Sequence, residues 1–264
     1  MSSSERSDGA RRRGHVYGRR KGPKLSPHQA SLFTTLLPEL TLAIAEGAEP
    51  RSYFDGIEDV WLEVGFGAGE HLIWQGEHHQ NVGLIGAEPY EGGVAKLLSS
   101  LAPAGGEGRG EGVPPSTSSP DDASPPPHPG LLPRRGRRSN IKIHMGDARD
   151  ILNALPDASV GRVFVLFPDP WPKTRHHKRR FLQTEMLDTL ARVMKPGAEL
   201  RFASDDAPLF EFTLERLMAH PAFTWTATRA QDWQSRPADW PQTRYEAKQL
   251  HGAPAFLRFV RNSR

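Results

Sequence analysis

A chain of 264 residues with 37% hydrophobic content, 25 glycines and 24 prolines can bury one sizeable core, but it is too dilute in apolar side chains to pack along its whole length. It has no cysteine, which excludes disulfides, thiol nucleophiles and Cys-ligated zinc. The net charge of +3 is clustered, with eight Lys or Arg against two acids in residues 1–24 and further basic groups at 134–138 and 173–180. That pattern suits a polyanionic partner.

Residues 1–24 are expected to form a disordered basic arm, leaving 25–264 as one domain with an insertion. Within 27–46, Leu32, Leu36 and Leu40 recur at helical spacing around Pro38, which predicts a short or kinked helix. From residue 59 a strand–turn–helix alternation begins. "DVWLEV" (59–64), "VGLIGA" (82–87), "IKIHM" (141–145) and "GRVFVLF" (161–167) are short apolar runs suited to buried parallel strands. Residues 178–194 ("KRRFLQTEMLDTLARVM") form an amphipathic helical pattern with Leu182, Met186, Leu190 and Val193 on one face. "KPG" (195–197) stops it, and "AELRFAS" (198–204) reads as a fifth strand. A helix near 207–219 and strands near 223–228 and 255–261 follow.

The alternation predicts an α/β fold with a doubly wound, mostly parallel, seven-stranded sheet and right-handed crossovers. Between the second and third strands, residues 99–139 hold nine of the 24 prolines. Such a Pro/Gly/Ser-rich segment cannot bury enough apolar surface to offset the entropy of ordering it, so a disordered surface insertion is expected. No apolar run approaches the roughly 18 residues of a membrane span, and the first residues lack the apolar centre of a secretion signal. A cytoplasmic protein without membrane contact is expected, as a monomer or a homodimer.

"LEVGFGAGEHL" (62–72) follows the first strand. Gly65, Gly67 and Gly69 allow a tight turn and close approach of a ligand to the backbone, with helical N–H groups beyond. Glu88, 21 residues after Gly67 at the end of the second strand, can accept from both hydroxyls of a ribose. A dinucleotide loop would place its third glycine at position 70, where this chain has Glu70. A carboxylate there repels pyrophosphate. S-adenosylmethionine, a nucleoside with a cationic sulfonium and no phosphate, fits better. Glu63 could serve its amino-acid end and Asp147 the adenine amino group; the alternative for either acid is a plain turn or helix cap.

At the end of the fourth strand, "PDPW" (168–171) locks Asp169 between two prolines. Ligands of open α/β sheets bind outside the carboxyl ends of strands, so Asp169 is expected to face the reacting methyl, with Trp171 as a stacking surface. Lys173, Arg175, Lys178, Arg179 and Arg180 follow within eight residues. Next to a reactive site, such a cluster suits phosphates, and Arg179 and Arg180 are expected to contact them. The paired histidines 78–79 and 176–177 lack the helical spacing of a metal site, so no metal is expected.

These segments, with "IGAEPYEGGV", "MGDARDIL", "ASDD" and "TRYEAKQL", resemble the bacterial tRNA (guanine-N7)-methyltransferases from residue 61 to about 250. The resemblance implies a Rossmann-like class I methyltransferase fold. It implies that Glu63, Glu88, Asp147 and Asp169 bind S-adenosylmethionine, with Asp169 also at the catalytic position. Lys173, Asp205, Thr243, Arg244, Tyr245 and Glu246 would be substrate-binding. The acceptor would be N7 of the variable-loop guanine of tRNA, nucleotide position 46. On this basis Asp169, with Glu246 or Asp205, could accept from guanine N1–H and its exocyclic amine. Insertion 99–139 is not part of the family pattern. Asp206 stands where some relatives carry an aromatic residue, leaving the roles of Asp205 and Asp206 open. Another nucleic-acid base methyltransferase, a non-catalytic RNA-binding module and a nicotinamide-dependent oxidoreductase are the competing readings.

Overall fold

The computed structural model describes residues 21–102 and 140–263. Most of the expected arm (1–20) and of the expected insertion (103–139) lies outside them. Ser26 and Gln29 exchange hydrogen bonds at the start of α1 (Pro27–Thr35), a capping box with proline at the first helical position. The helix breaks at Leu36, because Pro38 has no N–H to donate one turn back, and α2 (Leu37–Leu40) follows.

Among the described residues the strands β1 (Asp59–Val64), β2 (Val82–Ala87), β3 (Ile141–His144), β4 (Val160–Leu166), β5 (Met194–Ser204), β6 (Phe223–Trp225) and β7 (Ala255–Arg261) form one sheet of order β3-β2-β1-β4-β5-β7-β6. The first five run parallel, and β7 lies antiparallel between β5 and β6. Side chains alternate between two cores. Trp61, Leu84 and Phe164 face α1, α3 (Glu70–His78) and α4 (Glu91–Leu101). Val60, Leu62, Ile85 and Val163 face α5 (Ala148–Ala154), α6 (Thr184–Val193) and α7 (Ala207–Ala219). Leu62, Ile85 and Val163 are fully buried, each such burial worth roughly 1.5–3 kcal/mol.

Three boundaries differ from expectation. The helix expected over 178–194 begins only at Thr184, since Thr174–Arg179 winds into a 3-10 turn and Arg180 is extended. "KPG" ends α6 but does not precede β5. Met194 already pairs with Val160, and the register shifts before Arg162 meets Glu199, with Gly197 at φ +80° absorbing the excursion. At the insertion, α4 continues through Leu101, which is 2% exposed. The apolar side chain carries the helix past residue 99.

Strand register places the site. Glu63 is opposite Gly86 and Phe164, and Ala87 is opposite both Val64 and His144. The carboxyl ends of β1, β2, β3 and β4 therefore finish at one rim.

Candidate active site

At that rim Gly65, Gly67 and Gly69 adopt φ of +72°, +56° and +79°, conformations that cost other residues strain. Gly69 opens α3, and a Cβ at Gly65 or Gly67 would meet nothing within 4 Å. The loop backbone thus faces open space. From the other side, a Cβ on Gly93 in α4 would lie 2.5 Å from the Gly67 carbonyl oxygen. "GxGxG" and "EGGV" are two halves of one backbone cradle. Glu88 ties them together, its Oε2 accepting from Gly67 N–H and its Oε1 from Tyr90 N–H, both at 2.8 Å. Burial pushes the Glu88 carboxyl above its ordinary range, against the pull of those two donors.

The cradle borders a cleft of about 530 Å³ lined also by Asp147, Asp169, Trp171 and Tyr245. A neighbouring cavity of about 320 Å³ shares Gly65, Gly67, Phe167 and Tyr245 and reaches Glu63, Glu70 and His71. Asp147 is the cap of α5, its Oδ1 accepting from Arg149 N–H at 3.0 Å while Oδ2 pairs with the Arg149 guanidinium at 2.9 Å. The capping alternative therefore holds for Asp147, and the same side chain also lines the cleft. Glu63 is 4% exposed and bonded to His71 Nδ1 at 2.8 Å.

The proline turn is strained on both sides of Asp169. Phe167 and Trp171 take φ of +50° and +47°, unusual for aromatic residues and maintained only where the surroundings enforce it. Phe167 is tied to β5 through its N–H to the Ala203 carbonyl at 2.8 Å, and Arg180 braces the other side of the turn. Arg180 is 2% exposed, donates from Nε to the Pro170 carbonyl at 3.0 Å and from its guanidinium to that of Pro208 at 3.4 Å, and packs on Phe212. The expected phosphate contact by Arg180 is thereby corrected. Its charge is used inside, bracing the turn. Arg179 lies over Trp171, 5.0 Å from the ring centroid, so one face of that indole is covered. Lys173, Arg175 and Lys178 are exposed.

Asp169 itself opens onto the cleft and has no hydrogen-bond or ion-pair partner among the described residues. The surrounding cleft walls strip enough water from it to raise its carboxyl above the usual aspartate range.

The segment 243–246 closes the cleft from the far end of the chain. Thr243 caps α8 (Arg244–Lys248), accepting from Glu246 N–H at 3.2 Å. Arg244 donates its backbone N–H to Glu70 Oε2 at 2.7 Å, and its guanidinium pairs with the same carboxylate. Tyr245 sets its ring 5.5 Å from that of Phe167. Glu246, expected at the substrate, points inward instead, 5% exposed and paired with Arg236 at 3.0 Å. In this conformation its carboxylate is committed to Arg236 and not open to a base. Asp205 is also buried and accepts from His251 N–H at 3.2 Å, whereas Asp206 caps α7 through Leu209 N–H at 2.8 Å. The two acids thus have different tasks, Asp206 at the helix and Asp205 at the loop that carries His251.

Sequence reasoning missed the roles of Glu70, His71, Arg180 and Arg236. Glu70 entered only as a reason against phosphate, and nothing local announces its pairing with a residue 174 positions away. Among the described residues no group of three or more His, Asp or Glu is placed to hold a metal ion, and no helix is long and apolar enough to cross a membrane.

Comparison with known proteins agrees with this architecture. Residues 58–256 match the family model described as "Putative methyltransferase". The tRNA (guanine-N(7)-)-methyltransferase of Rhodospirillum rubrum is 43% identical over 94% of this chain and 88% of its own length. The protein of the same name from Paramagnetospirillum magneticum is 42% identical over 99% and 98%. Among solved structures, the 16S rRNA methyltransferase KamB superposes with a TM-score of 0.52 at 16% identity, over 82% of this chain and 95% of that one, a likeness of fold alone.

Proposed function

Because the chain belongs to the tRNA (guanine-N7)-methyltransferase family, we propose that it methylates N7 of the variable-loop guanine of tRNA, position 46, in the cleft beside Asp169. The methyl donor is S-adenosylmethionine, and the residues present suit it. The cradle admits no Cβ on Gly93, and the acids Glu63, Glu88, Asp147 and Asp169 line the two clefts. Glu88 would take the ribose hydroxyls, Asp147 the adenine edge and Glu63 the amino-acid end. When bound, the donor supplies an electrophilic methyl carried on a cationic sulfonium.

Guanine N7 carries an in-plane lone pair and no proton, so no side chain has to act as a base. The work left to the protein is orientation and accommodation of the positive charge that the purine acquires. Asp169 is the acid of the cleft whose carboxylate has no partner among the described residues, and a strained turn carries its backbone; this observation carries the reading. Its backbone is set before the reaction, which reduces the reorganisation needed as the charge appears. The target base must leave its stack to reach it. Such an enzyme works where tRNA is made, and we place it in the cytoplasm.

Labelled-methyl transfer to unmodified total tRNA, followed by nuclease digestion and mass spectrometry, tests the assignment. Label on 7-methylguanosine of the variable loop is expected. Label on an exocyclic amine, or none, would overturn it.

Two further results are expected. Replacing the exposed Lys173, Arg175 and Lys178 together by alanine should weaken tRNA binding and flatten its dependence on salt, by roughly 0.9 in the slope of log K against log salt for each phosphate no longer neutralised. An unchanged slope would exclude them from the RNA interface. The ionised form of Asp169 is the working one, and burial raises its carboxyl. Single-turnover transfer should therefore fall with decreasing pH from a point above the ordinary aspartate range, and recover as pH rises through it. A rate flat through that interval would contradict the role.

A further inference from the structure

Behind Glu63 runs a chain of buried polar groups that the reaction does not consume. His71 Nδ1 lies 2.8 Å from Glu63 Oε2, and Gln75 Nε2 lies 3.1 Å from His71 Nε2 and 3.0 Å from the backbone carbonyl oxygen of Asp239. Glu63, His71 and Gln75 are 4%, 2% and 1% exposed. The far end is anchored, since Arg201 donates to Asp239 Oδ1 at 2.7 Å and Arg162 lies 3.8 Å from Oδ2. The imidazole is wedged edge-on between Phe164 and Trp240, at ring separations of 4.6 and 5.7 Å.

The protons can be placed from this geometry. A backbone carbonyl only accepts, so the group of Gln75 facing Asp239 is its NH₂, and the second hydrogen of that NH₂ points at His71 Nε2. The ring nitrogen there must accept and carries no proton. The single imidazole proton is then on Nδ1, directed at Glu63. An imidazolium would set its Nε2–H against the Gln75 N–H, donor against donor.

We propose that His71 is a positioning residue for methyl transfer: held neutral with its proton on Nδ1, it aims the Glu63 carboxylate at the cationic amino-acid end of the donor without cancelling its charge. A lysine or a charged histidine in this place would form an ion pair and leave the Glu63 carboxylate no net charge to offer. A residue without a donor would leave the carboxylate buried and badly solvated. The assignment rests on the reading of the cleft as the donor site.

The test uses the full chain and S-adenosylmethionine itself, with calorimetry for donor affinity, filter binding for tRNA and circular dichroism for folding. His71→Phe keeps the packing but removes the proton, and should weaken donor binding roughly ten- to a hundred-fold, the range of a buried hydrogen bond to a charge. Its tRNA affinity should be unchanged. His71→Asn, whose amide N–H stands near the position of Nδ1–H, should restore most of the lost affinity. In the unaltered protein, nitrogen-15 spectra of labelled histidine at neutral pH should show His71 as the neutral Nδ1–H tautomer. Failure of the unaltered chain to bind the donor would remove the reading of the cleft and this role with it. Donor binding by the unaltered chain and equally tight binding by His71→Phe would remove this role alone. So would an Nε2–H tautomer, an imidazolium, or an asparagine variant as weak as the phenylalanine one.

Discussion

Asp169→Asn is expected to lower single-turnover methyl transfer by roughly 10²–10³-fold, the cost of removing one electrostatic group placed ahead of the reaction. The amide has almost the shape of the carboxylate, so the strained turn between Phe167 and Trp171 should survive. What disappears is the negative charge facing a purine that becomes cationic. Binding of tRNA depends mainly on phosphate contacts and should be nearly unchanged, while donor affinity is measured separately by calorimetry. The effect must appear under single-turnover conditions with saturating donor, where it reports the chemical step. Near-normal turnover by this variant would refute the role of Asp169.

Arg180→Ala is expected to be damaging for a different reason. The guanidinium is the internal donor to the carbonyls of Pro170 and Pro208 and a platform partner of Phe212. Its removal leaves two acceptors poorly satisfied and a void beside the ring, at a cost of about 3 kcal/mol. For a domain of this size that lowers the melting temperature by roughly 6–12 °C. Methyl transfer should fall because the turn carrying Asp169 loosens. The salt dependence of tRNA binding should not change, since this guanidinium faces the protein interior and no phosphate. Arg180→Lys should rescue little, because an ammonium lacks the fork that spans two carbonyls. A variant with normal melting behaviour and a flattened salt slope would return Arg180 to the RNA surface.

Most of the fold could be read along the chain, because the signals were local. Short apolar runs of six or seven residues mark β1, β2 and β4, and they occupy the observed bounds to within a residue. The short or kinked helix expected within 27–46 appears as two pieces that break ahead of Pro38. The site was legible as far as it sits at strand ends. Gly65, Gly67, Glu88, Asp147 and Asp169 border one cleft because parallel strands finish at one rim. What stayed hidden depends on distance in sequence. Arg180 looks like one more member of a basic run, and only the folded turn shows that its guanidinium goes inward while Lys178 stays in water. The pairings of Glu70 with Arg244 and of Glu246 with Arg236 are likewise tertiary. The acids at 205 and 206 are indistinguishable as letters, and the helix that starts at Ala207 separates them.

The placement of β7 bears on how such a molecule is made. It pairs with β5 along six residues and, among the described residues, is the sole neighbour of β6 within the sheet. Until residues 255–261 have left the ribosome, one flank of β5 is bare backbone beside Leu200 and Phe202, an open invitation to strand exchange with another nascent copy. Protection of that flank of β5 therefore waits on residues 255–261, whatever else of the sheet has already formed.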